Sequence, residues 1–164
     1  MIFKYSIILW IALVILAIVI EFIKDIKIDA RLNYTHTLTQ EINKIHGMDG
    51  FEFEQYCAYL LRKIGYRNVV VTPKSNDKGR DIICTDKKGM KVFVECKHYR
   101  EDRLINREQI LKLAGSMAIY GADRCLFITT SGFNKNAIEV GKHKRVELWD
   151  MNDVIRVIKG IELL

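Results

Sequence analysis

The sequence predicts an α/β domain of three layers, a mixed central sheet between helices, set behind one transmembrane helix. Three observations predict it. Over residues 47–164 apolar residues alternate between helical and strand spacing in the order α-β-β-β-α-β-α-β-α. The run Arg124-Cys-Leu-Phe-Ile-Thr-Thr130 is almost continuously apolar, as expected of a strand covered on both faces. Residues 5–20 carry no charge.

That uncharged stretch lies between Lys4 and Glu21, and Phe22-Ile23 extends it. A helix over residues 2–23 would be roughly 30 Å long at about 1.5 Å per residue, enough to span hydrocarbon. Tyr5 suits an interface, whereas Trp10 lies too deep. A cleaved signal peptide is the rival, but Glu21-Phe-Ile-Lys-Asp-Ile-Lys27 offers no small-x-small cleavage site. A core helix apolar all round would be odd beside a domain already complete without it. Lys24, Lys27 and Arg31 follow the span and Lys4 precedes it, so the positive-inside bias puts the C-terminal domain in the cytoplasm of a single-pass protein. Residues 24–46 read as a stalk, with Leu38, Ile42 and Ile45 hinting at a short amphipathic helix. His36 and His46 are expected at the surface.

Composition bounds the rest. A net charge of +6 over 164 residues permits a polyanionic partner without requiring one. Pro73 is the single proline, which argues against a proline-rich linker. Cys57, Cys84, Cys96 and Cys125 form no C-x-x-C pair, which argues against a zinc knuckle and a dithiol redox motif. They read as small buried hydrophobes in a reducing compartment.

Within residues 47–164, Asp49-Gly-Phe-Glu52 is a capping box opening a helix over Gly50–Ile64, with Gly65 at its C-cap. Asn68–Thr72 is a short strand stopped by Pro73, and Lys74–Gly79 a polar loop. Gly79–Cys84 and Lys91–Tyr99 are strands joined by the turn Asp86-Lys-Lys-Gly89, which completes a three-stranded antiparallel meander. Asn106 caps a helix that buries Ile110, Leu113, Ala114 and Met117 and ends at Gly121. After the strand at Arg124–Thr130, Ser131-Gly132 turns the chain. Asn134–Gly141 is a short helix, Val146–Trp149 a last strand, and Asn152 caps a final helix to about Lys159.

The chemistry concentrates on the meander. Strand side chains alternate, so Glu95 and Lys97 leave one face and Val92, Val94 and Cys96 the other. Asp81, at the mouth of the preceding strand, can join the first pair. Two carboxylates would then hold a Mg²⁺ ion, with Mn²⁺ as its substitute, and the backbone carbonyl of Cys96 would add an oxygen. Glu54 borders the apolar stripe of the first helix and could join directly or through water. The cation would polarise a phosphodiester and acidify a bound water. Lys97, beside two anions, should stay protonated, which suits orienting the water and neutralising charge in the transition state. Glu-x-Lys alone is common on strands and usually marks an exposed ion pair. Gly-Arg-Asp81 one hairpin earlier makes it specific.

These residues resemble a known family. Phe53-Glu54 with Leu60-Leu61 and Gly65-Tyr66, then Asp77-x-Gly79-x-Asp81, then Val94-Glu-Cys-Lys-His-Tyr99, are similar to the Mrr-type restriction endonuclease domain of the PD-(D/E)xK nuclease superfamily. The similarity continues through Gln109, Gly115, Phe127-Ile-Thr-Thr-Ser-Gly-Phe133 and Ala137. The resemblance implies a restriction-endonuclease-like fold, DNA as substrate, Asp81, Glu95 and Lys97 as catalytic triad and Glu54 as auxiliary acid. It leaves a homodimer open. Many Mrr-type domains carry Gln where this chain has Glu95, and Arg80 stands where the superfamily's name has proline.

Lys74, Lys78, Arg80, His98 and Arg100 cluster near this stretch in sequence and are candidates to hold nucleic-acid phosphates, as is Gln109. Each is more commonly a solvated surface group. Thr129, Thr130 and Ser131 would contact a phosphate or simply finish a turn; Trp149 is expected to pack. The leading expectation is a membrane-anchored, Mg²⁺-dependent DNA endonuclease. The alternative is a non-catalytic nucleic-acid or protein-binding module on the same fold, and RNA is the alternative substrate.

Overall fold

The computed structural model describes residues 2–73 and 79–162, with side chains from Trp10 onward apart from Glu162. Lys74, Asp77 and Lys78 of the polar loop lie outside the described residues. The chain divides into two compact units, residues 1–43 and 44–164.

Helix α1 spans Ile2–Gly47. Residues 24–46, where the sequence only hinted at a short amphipathic helix, are helical throughout. The cause is in the sequence: no glycine or proline interrupts residues 2–46. Trp10, Leu13, Ile15, Leu16, Ile18 and Phe22 are all exposed. Among the described residues no helix is long and apolar enough to cross a membrane. The expected span begins at residue 2, and the side chains of residues 2–9 lie outside the described set.

The second unit continues with α2(Gly50–Lys63), β1(Arg67–Val71), β2(Ile82–Thr85), β3(Lys91–Lys97), α3(Arg107–Tyr120), β4(Arg124–Thr129), α4(Lys135–Lys144), β5(Val146–Trp149) and α5(Met151–Glu162). The five strands lie side by side in chain order. β1, β2 and β3 are antiparallel neighbours, and β3, β4 and β5 run parallel. The sheet is mixed, as expected, because hairpins join its first three strands and helical crossovers its last three.

The capping box of α2 is complete: the Asp49 side chain accepts from Glu52 N–H and the Glu52 side chain accepts from Asp49 N–H, each at 2.8 Å. The helix stops with Ile64 at the cap and Gly65 just beyond, in the left-handed region. The final helix departs from expectation. Its cap is Asp150, whose Oδ1 accepts from the backbone of Asn152 and Asp153, while Asp153 accepts from Asp150 N–H. Asn152 sits two residues too late to cap, because helical geometry already begins at Met151.

Strand alternation divides the core into two layers. On one face Phe93, Cys125 and Phe127 pack with Ile105, Ile110, Leu113 and Ala137 beneath α3 and α4. On the other, the Cys96 thiol meets Cys57 of α2. α2 packs on β1 and β3 and touches α5. Every residue of β4 from Cys125 to Thr129 is buried, as the apolar run required. Burial pushes the Cys84 and Cys125 thiols up to about 12, so they serve as packing groups rather than nucleophiles.

Phe93 is fully buried at the centre of the first layer. Phe93→Ala is expected to destabilise the domain by about 3–5 kcal/mol. Denaturant unfolding checks this; a cost below about 1 kcal/mol would mean that the layer does not depend on that ring.

Candidate active site

Asp81 lies one residue before β2 but is fixed as firmly as a strand residue. Its N–H donates to the Val94 carbonyl at 2.8 Å, and its carbonyl accepts from Thr72 N–H at 2.8 Å. The register Ile82↔Val94 then sets Asp81 against the Glu95–Lys97 segment. The Asp81 Oδ2 accepts the Cys96 N–H at 2.7 Å.

The far end of β3 is held from the other side. The Lys97 carbonyl accepts from Thr129 Oγ1 at 2.9 Å and from Thr130 N–H at 3.2 Å. Thr130 Oγ1 also donates to the Tyr99 carbonyl and accepts from Tyr99 N–H, both at 2.8 Å. The two threonines thus finish the turn and stitch the strand end to β4. Because Lys97 faces β4 with its backbone, Cys96 faces the other way, and its carbonyl is directed to the Asp81 side together with its N–H.

Three side chains meet as the alternation predicted. Lys97 Nζ lies 2.6 Å from Glu95 Oε1 and 3.7 Å from Asp81 Oδ2. The carboxylates are nearly buried, at 7% and 8% side-chain exposure, while Lys97 keeps 28%. The group therefore opens to solvent through the lysine. Burial pushes the Glu95 carboxyl up, the neighbouring Asp81 charge pushes the same way, and Lys97 only partly opposes them. Burial works against the charged form of Lys97, but Glu95 and Asp81 outweigh it and hold its pKa above the ordinary lysine value.

One buried atom stands out: Glu95 Oε2 has no hydrogen-bond partner. An unpaired carboxylate oxygen in a closed site is costly unless a cation takes it. Asp81, Glu95 and the Cys96 carbonyl form an all-oxygen donor set of the kind a hard divalent cation accepts. The residues present thus fit such an ion. Glu54 does not complete a cluster with them. Among the described residues no group of three or more His, Cys, Asp or Glu is placed to hold one ion. Glu54 is half-buried on α2, the helix that packs through Cys57 against the opposite face of β3.

The structure accounts differently for each expected phosphate contact. Lys78 lies outside the described residues. The Arg80 guanidinium sits over the rings of Phe93 and Tyr120, at 4.4 and 4.7 Å from their centroids, with Nε and Nη1 buried and unpaired. His98 Nε2 donates to the Ile45 carbonyl at 2.9 Å, its ring edge-on to Phe53. The Gln109 Oε1 accepts from Asn106 N–H at 3.1 Å and so completes the capping box of α3. Arg100 is 90% exposed and lies 3.7 Å from Asp102. Sequence reasoning passed over Lys112, whose charge reaches Glu95. Its signal was helical spacing, one turn beyond Gln109.

A family model described as "Restriction endonuclease" matches residues 45–158. The chain belongs to that family. A relative from Sinorhizobium fredii (strain NBRC 101917 / NGR234), the uncharacterized protein y4cE, is 35% identical over 98 residues, 56% of this chain and 25% of the relative. Two solved structures share the fold. The DNA modification-dependent restriction endonuclease AspBHI matches with a TM-score of 0.57 at 18% identity, over 76% of this chain and 35% of that one. The MspJI restriction endonuclease in complex with a 27-mer oligonucleotide matches with a TM-score of 0.54 at 16% identity, over 75% of this chain and 30% of that one. The chain thus spans a quarter to about a third of the length of these proteins.

The raised pKa of Glu95 gives a pH-dependent expectation. The unfolded chain releases this proton first, so stability falls as pH climbs past the ordinary Glu range toward the raised folded value. Without metal, Glu95→Gln is expected to melt no lower than wild type at neutral pH, with that advantage vanishing in acid. Melting curves across pH check it, and an equal loss of stability at every pH would contradict it.

Proposed function

We propose that residues 44–164 are a divalent-metal-dependent nuclease that hydrolyses phosphodiester bonds in DNA. One observation carries the proposal: Asp81 and Glu95 are both held against the Lys97 ammonium where β3 ends. A bound Mg²⁺, or Mn²⁺ in its place, would polarise the scissile phosphate and supply an acidified water. Asp81, Glu95 and the Cys96 carbonyl would hold it.

The chain's own residues supply the rest. In the metal-free site the two carboxylates favour the protonated form of Lys97, which suits it to donate rather than to act as a general base. It orients the attacking water by donating to its oxygen, and its charge offsets the negative charge that gathers on the phosphate oxygens. The hydrogen bonds of Thr129 and Thr130 to the strand end keep the lysine aimed. Hydrophobic layers on both sides of the sheet keep solvent from reorganising around the carboxylates. DNA as substrate is supported by the family and by the oligonucleotide in the MspJI complex.

We also propose that residues 2–23 anchor the protein in a membrane as a single pass, with the nuclease domain in the cytoplasm. Support comes from the exposed apolar side chains between Trp10 and Ile23. Carbonate extraction of the full chain and of a form starting at residue 24 tests this. The full chain is expected in the membrane pellet and the shortened form in the supernatant; full release of both would defeat the anchor.

The nuclease is tested with plasmid DNA and Mg²⁺. Asp81→Ala and Lys97→Ala are each expected to slow cleavage by about 10²-fold or more, and Mg²⁺ is expected to raise the Tm of wild type but not of Asp81→Ala. Cleavage by Lys97→Ala at the wild-type rate would refute the mechanism.

A further inference from the structure

Among the described residues, most cations near the site already have a partner. Lys97 belongs to the two carboxylates, Arg80 to its aromatic rings and Arg100 to Asp102. Arg103 lies over the Tyr99 ring at 4.0 Å, and Arg107 beside Glu108 at 3.7 Å. Lys112 differs. It is exposed, and among the described residues it makes no hydrogen bond and no ion pair within 4.0 Å.

Its stem is nevertheless placed. Lys112 follows Gln109 by one turn and precedes Ser116 by another, so all three share one face of α3. That face meets Gly79, two residues before Asp81. A Cβ on Gly79 would lie 3.3 Å from Lys112 Cε and 3.8 Å from Ser116 Cβ. Gly79 is buried with φ of +80°, so the lysine stem runs over bare backbone that a side chain would block. The ammonium is thereby held beside the Asp81 segment while its three donors remain unused. Its charge reaches Glu95 without pairing with it.

We propose that Lys112 binds a phosphate of the nucleic-acid strand in the site, next to the one that is cleaved. A packed stem limits the rotamer entropy lost on binding, which distinguishes this lysine from a free surface charge. The contact is to backbone phosphate, so it adds affinity for any sequence and selects none. The inference rests on the nuclease function proposed above.

The test uses the full chain in the Lys97→Ala background with Mg²⁺, so that DNA stays intact. Binding of a fluorescent duplex of random sequence is followed by anisotropy over a range of salt. Adding Lys112→Met, which keeps the stem, is expected to weaken binding and to lower the slope of log Kobs against log salt by about one. Adding Lys112→Arg instead should leave the slope intact. A slope unchanged by Lys112→Met overturns this inference and leaves the nuclease standing. Absence of DNA binding even with Lys112 present overturns both, and wild-type cleavage by Lys97→Ala counts against the nuclease mechanism alone.

Discussion

Two buried carboxylates side by side repel each other, and Lys97, standing between Asp81 and Glu95 and water, offsets that repulsion. The rest of the second unit can be understood from that constraint. Ladder hydrogen bonds from Val94 and Thr72 fix one acid, strand alternation fixes the other, and two threonines fix the carbonyl of the lysine. None of these groups can relax independently. A site with such stored repulsion favours binding of a positive ion, because the ion relieves a cost the protein already carries.

The two core layers serve different ends. The layer under α3 and α4 shares its sheet face with the acids, so the rings of Phe93 and Phe127 form the floor from which Glu95 and Lys97 rise. The layer under α2 and α5 stays apolar up to the end of the strand, through Val94 and Cys96. Arg80 bridges the two demands. Its guanidinium covers Phe93 while its backbone carries Asp81, so a cation placed in sequence beside the acids is spent on packing.

Much of this was legible in the sequence. The capping box of the first domain helix, the order of elements and the apolar fourth strand follow from local patterns, and the meeting of Asp81, Glu95 and Lys97 follows from period-two alternation plus one hairpin. What escaped had non-local or degenerate causes. Asp150 and Asn152 are both good helix caps, and only backbone geometry chooses between them. His98 and Gln109 look like ligands for phosphate until Ile45 and Asn106, one of them far away in sequence, claim them. Lys112 is one of many lysines until the bare backbone of Gly79 shows where its stem lies.

The hairpin between β2 and β3 closes on Asp86, whose side chain accepts backbone donors from Lys88 and Met90 and an ion pair from Arg124. Those bonds lock the loop at one length. Insertion or deletion of a single residue there would slide β3 by half a pleat, turning Glu95 and Lys97 into the aliphatic layer and Cys96 out to the solvent side. The separation of Asp81 and Glu95 along the chain is thus tied to this turn through its parity: an even change in length keeps both acids on one face of the sheet, and an odd change parts them.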